Sequence, residues 1–156
     1  MRRLMALLAV SSVVFAGACV RTSREPATGN VDVDIESPTK SGEDWSAGIA
    51  AVGGSGISGT AKALVAGGES NVTISLAGAS AGGTLPWHIH AGKCGSGGPV
   101  VGDASAYTPL TVGSDGRAAG NARVAVSLNE ATDYYVQVHA SPSDMATIVA
   151  CGELDD

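Results

Sequence analysis

The chain has 156 residues, with 9 Lys and Arg against 15 Asp and Glu and a formal net charge of −6. That length makes one domain, and a body so acidic repels phosphate backbones, which argues against nucleic acid as a partner. With 22 glycines and only six aromatic residues, the composition speaks against a helical bundle and for short strands joined by tight turns.

Residues 1–18 start with Arg2 and Arg3, run through an apolar stretch at 4–15 and end in Ala16, Gly17 and Ala18. This is the layout of a secretory signal, too short for a comfortable membrane-spanning helix. Cys19 follows directly and resembles the lipidated cysteine of a bacterial lipobox, although Ala16 is less typical there than leucine. The alternative is ordinary cleavage near Ala18 with a free thiol left behind. Val20 is not the aspartate that retains many lipoproteins at the inner membrane. The expected location is therefore the cell envelope of a Gram-negative bacterium, lipid-anchored at the outer membrane and facing the periplasm.

Three cysteines are an awkward number where thiols oxidise. If Cys19 carries lipid, Cys94 and Cys151 remain as one pair. A disulfide between them spans 57 residues and stabilises by about 4 kcal/mol in the chain-entropy model. A metal site using either cysteine is the weaker alternative, because neither has a second cysteine nearby.

Residues 19–46 are polar and acidic and read as a disordered tether. Val31, Val33 and Ile35 alternate there, but Asp32, Asp34 and Glu36 between them argue against a strand. The folded domain is expected over 47–156. Strand-like stretches fall at 58–65 and 71–76, where Val72, Ile74 and Leu76 share one face. The pattern returns at 123–128, with Val124, Val126 and Leu128 inward, and at 134–139, with Tyr134, Val136 and Val138 inward. Turn residues at 114–116 and 128–130 punctuate them, and no stretch has a helical period. The fold class is all-β, an antiparallel sandwich or barrel.

The chain has three histidines, His88, His90 and His139, all in strand-like stretches. The two-residue step of Trp87-His88-Ile89-His90 puts both imidazoles on one face, their Cβ atoms about 6–7 Å apart. Rings at that spacing can converge on one ion. His139 lies opposite the Val136/Val138 face, so neighbouring strands would bring all three imidazoles together outside the core. Such a set suits copper, zinc or nickel. The bland alternative is a group of satisfied strand histidines. Trp87, Tyr107 and Tyr135 read first as packing residues, the two tyrosines with the option of bordering a metal. Asp115 and Asp144 read as turn residues, Asp144 with the option of bonding a ligand histidine. A phosphate-loop motif is absent from the sequence, and the many glycines read as turn residues.

Gly59-Thr60, the glycine-rich turn at 78–83, the H-I-H pair, Cys94, Val136-Gln137-Val138-His139 and Ala150-Cys151-Gly152 occur in an order that resembles the copper/zinc superoxide dismutases. The likeness covers about residues 47–154. It implies a Greek-key barrel of about eight antiparallel strands, a Cys94–Cys151 disulfide, and His88, His90 and His139 as three of the four copper ligands. The departures carry equal weight. Val100 follows Gly98-Pro99 where the family has its bridging histidine, and no histidine remains for zinc, so zinc is not expected. Ile148 replaces the family's anion-binding arginine, with Lys93 or Arg123 as candidates to compensate. His90 to Cys94 is four residues and His139 to Cys151 twelve, so both functional loops are short.

Three readings follow. The first is a copper-only dismutase-like envelope lipoprotein that acts on superoxide. The second is a protein that holds copper for buffering or delivery, without turnover. The third is a metal-free structural module on a lipid tether.

Overall fold

The computed structural model describes residues 42–156. The leader, Cys19, residues 31–35 and the tether up to residue 41 lie outside the described residues. Nine strands follow: β1 (Glu43–Ala51), β2 (Ser58–Ala66), β3 (Glu69–Ala77), β4 (Thr84–Leu85), β5 (Trp87–Ala91), β6 (Leu110–Thr111), β7 (Ala118–Val124), β8 (Tyr134–Ser141) and β9 (Asp144–Leu154). Helix among the described residues is confined to a single 3-10 turn at Ala104–Ala106.

Alternation explains the strands. In β3, Ser70, Val72, Ile74 and Leu76 are buried while Asn71, Thr73 and Ser75 are exposed. β2 does the same with Ala61, Ala63 and Val65, and the β2–β3 register sets Ala63 opposite Val72. Side chains on one face of a pleated strand can share a core only if every neighbour keeps this parity. Gly67 and Gly68, at φ 62° and 86°, make the β2–β3 turn in a region that side chains with a Cβ resist.

Seven strands form one antiparallel sheet in the order β5-β8-β9-β1-β2-β3-β7, curled into a half-barrel, and β4 and β6 form a separate ribbon. The concave face holds the core. Trp87, Ile89, Val136, Val138 and Ala150 are each fully buried there.

Two expectations need correction. The domain begins before residue 47: β1 starts at Glu43, pairs Trp45 with Ala63, and buries Trp45 edge-on against Tyr134 at 5.7 Å between ring centroids. Residues 43–46 thus belong to the sheet, since an indole held among apolar neighbours outweighs the polar residues beside it. The strand expected at 123–128 lies instead at 118–124, paired with β3 from Ser70 to Leu76. Ala118, Ala119 and Gly120 had no apolar period to announce it. Val124 and Leu128 are nevertheless buried, as expected.

The β8–β9 pairing is irregular where it matters for function. Val138 pairs with Ala150 but His139 pairs with Ile148, so Val149 is an extra residue in β9. The carbonyl of this bulged residue accepts from Val52 N at 2.9 Å and from the Ser55 hydroxyl, which pins the irregularity to the β1–β2 loop.

Candidate metal centre

β5 and β8 are neighbours, as the three-histidine reading requires, with His88 opposite Gln137 and His90 opposite Tyr135. Ile89 points into the core and is fully buried, so strand alternation sends His88 and His90 to the other face. His139 reaches the same place from β8, its backbone N–H donating to Pro86 O at 2.9 Å, one residue before β5. The structure therefore brings all three predicted histidines together.

One nitrogen from each ring lies within 4.8 Å of the other two. Three donors at bond lengths near 2 Å around an ion stand about 3.5 Å apart, so small ring rotations close the site. His88 Nδ1 is already 3.3 Å from His139 Nε2.

The backbone has chosen which nitrogens are available. His90 Nδ1–H donates to Gly98 O at 2.8 Å, and His139 Nδ1–H donates to Met145 O at 2.7 Å. A carbonyl only accepts, so each Nδ1 must carry the proton and each Nε2 the lone pair. His90 Nε2 is buried and has no hydrogen-bond partner. A buried polar atom left unpaired is costly unless something else satisfies it. A metal ion would do so, and this converging ring set fits one.

Burial lowers the His88 pKa from 6.5 to about 4, with nearby His139 and His90 adding to the effect. Burial likewise lowers that of His139, against the opposing bond to Met145. Both rings are neutral at pH 7, the form that binds a cation.

The surroundings explain the precision. The Tyr135 ring stacks on His90, with centroids 5.2 Å apart and planes 21° from parallel. Its hydroxyl accepts from Gly98 N at 3.1 Å, fixing the peptide whose carbonyl holds the same His90. Tyr107 meets His88 edge-on at 5.4 Å, and its buried hydroxyl donates to Val101 O at 2.9 Å. Both tyrosines thus pack and border the site at once. Trp87 is a core residue whose Nε1 donates to Thr108 O.

Cys94 and Cys151 form a disulfide, with Cα atoms 6.0 Å apart, so neither cysteine is a metal ligand. It ties the loop after β5, which carries Gly98, to β9. Cys94 N also donates to Glu153 Oε1 at 2.9 Å.

Several expected helpers are elsewhere. The Asp144 carboxylate accepts from Thr147 N at 3.1 Å, and the Met145 carbonyl holds His139 in its place. Lys93 lies 3.6 Å from Asp133, and Arg123 pairs with Glu69 across β3 and β7. Neither cation lines the groove of about 380 Å³ that opens beside His88, and among the described residues no charged one does. Gly98 and Met145 act through main-chain carbonyls, which no side-chain pattern announces. No family model matches the chain, and a search of curated proteins returns no match.

Proposed function

We propose that this domain is a copper-binding, superoxide dismutase-like module in which His88, His90 and His139 hold one copper ion. The observation that carries the reading is the convergence of the three rings, one nitrogen of each within 4.8 Å of the other two, with His90 Nε2 buried and unpaired among them. Copper is favoured by the order of the H-I-H pair, Cys94, His139 and Cys151 within an all-β half-barrel, which supports a Greek-key dismutase-like architecture. Zinc has no second set of histidines to occupy. Lipidation at Cys19 would anchor the domain in the envelope, at the outer membrane.

When bound, copper supplies one-electron cycling between Cu(II) and Cu(I), by which one superoxide is oxidised to dioxygen and another, with two protons, is reduced to hydrogen peroxide. The chain's own contribution is positional. Gly98 and Met145 fix the tautomers, Tyr135 and Tyr107 fix ring planes, and the groove beside His88 admits a small molecule. Val100 has no proton to give, so both protons come from water. Among the described residues no cation lines the groove to draw an anion inward, and the acidic body opposes its approach.

That uncharged groove favours a second reading, copper held for buffering or delivery without useful turnover. Metal analysis of protein made in copper-supplied cells tests the shared claim. One copper per chain, lost in His90→Ala, is expected; metal-free protein overturns both copper readings and leaves the structural module. Superoxide consumption by the loaded protein, against the same copper free in solution, separates enzyme from carrier.

A further inference from the structure

The groove beside His88 contains the one methionine among the described residues, Met145. Its place is fixed twice over. Its carbonyl accepts from His139 Nδ1 at 2.7 Å, and its residue lines the same groove as His88. Its side chain stands outside the hydrophobic core: Met145 is 40% exposed near the start of β9, while the β9 residues that join the core begin at Val149 and Ala150. A large, partly exposed apolar side chain thus stands beside three convergent imidazoles, one of which has a buried, unpaired nitrogen.

The other flanks of the cluster are closed. His90 is buried under Tyr135, and Tyr107 covers one edge of His88. The groove is the open side, and Met145 is the soft donor among the described residues that line it. Pro86, Pro109 and Pro142 around it offer no metal-binding side chain. A thioether is a neutral, polarizable ligand that favours Cu(I) over Cu(II) and Zn(II), and methionine's three rotatable bonds let it swing in and out.

We propose that Met145 Sγ is a fourth donor specific for copper(I), joining the three histidine nitrogens from the groove side. This rests on the copper reading above and adds to it a redox-selective ligand. Such a donor holds the reduced ion in preference to the oxidised one and raises the copper potential.

The test compares the wild-type protein with Met145→Leu, which keeps an apolar side chain of similar size and leaves the Met145 carbonyl position in place. Copper(I), supplied with ascorbate, is titrated against a chromophoric copper(I) chelator, and copper-edge X-ray absorption reports whether sulfur lies in the coordination shell. Expected are a sulfur scatterer in the wild type only, a Cu(I) affinity lower on the order of tenfold in the variant, and Zn(II) affinity changed by less than about twofold. A wild-type Cu(I) spectrum of nitrogen ligands alone, or equal Cu(I) affinities, overturns the proposal while leaving the three-histidine site standing. Failure of His90→Ala to lower copper binding overturns the site itself, and Met145 with it.

Discussion

Tyr135→Phe removes one oxygen atom and leaves the ring stacked on His90, so it isolates the link from Tyr135 through Gly98 to that histidine. In the wild type the Gly98 N–H lies 3.1 Å from the hydroxyl it donates to, and the next atom of consequence is the Gly98 carbonyl, 2.8 Å from His90 Nδ1. Without its acceptor, a partly buried amide loses about 1–3 kcal/mol. At about 4 °C per kcal/mol for a domain of this size, the melting temperature falls by about 4–12 °C. The peptide is then free to turn, His90 loses its fixed tautomer, and metal affinity falls by about 10–100-fold, as outer-shell losses do. Calorimetric melting of the metal-free protein measures the first quantity and titration against a competing chelator the second. Tyr135→Leu, which also loses the stack, is expected to fall further on both. A Tyr135→Phe protein that melts within about one degree of wild type and binds metal within about twofold refutes the linkage.

Other perturbations probe the same arrangement. Gly98→Ala places a methyl against the Ala91 carbonyl oxygen, so the loop must shift and carry its own carbonyl off His90; metal titration should show a loss at least as large as that of Tyr135→Phe. Replacing both Cys94 and Cys151 by serine opens a 57-residue loop and costs about 4 kcal/mol by denaturant unfolding. A metal-free double variant as stable as wild type would leave the bridge without a structural role. In the metal-free protein His88 has a folded pKa of about 4 against 6.5 when unfolded. The unfolded chain therefore binds the extra proton first, so stability is full above about pH 6.5 and is lost as pH falls toward 4. Urea melts across that range should show the slope, and His88→Asn should flatten it.

How much of this was legible beforehand depends on which atoms do the work. Where side chains alternate, as at Val72, Ile74 and Leu76, the pleat could be read directly, and the same logic set His88 and His90 on one face. The joining of His139 to them was an inference about strand neighbours, and the β5–β8 pairing supplies the contact. Small residues hid β7, because Ala118, Ala119 and Gly120 carry no amphipathic signal, and acidic neighbours hid the start of β1 around Trp45. The carbonyl clamps at Gly98 and Met145 were invisible for a different reason. Every residue has a carbonyl, so only the path of the chain says which one meets a ring. Asp144 keeps the turn role first read for it, its carboxylate bonding Thr147 N, while a neighbouring main-chain oxygen holds the histidine.

The extra residue at Val149 makes the β8–β9 arm a matter of counting. With Val138 opposite Ala150, His139 opposite Ile148 and Ser141 opposite Asp144, deletion of Val149 would close the first of two gaps in the ladder and advance the tip by a single step. A single step in a strand reverses which side every residue presents. The oxygen now serving His139 would then be carried out of reach, whatever side chain stood at its position. This arm should accept many changes of residue type, yet odd changes of length should disable the centre while leaving the half-barrel folded.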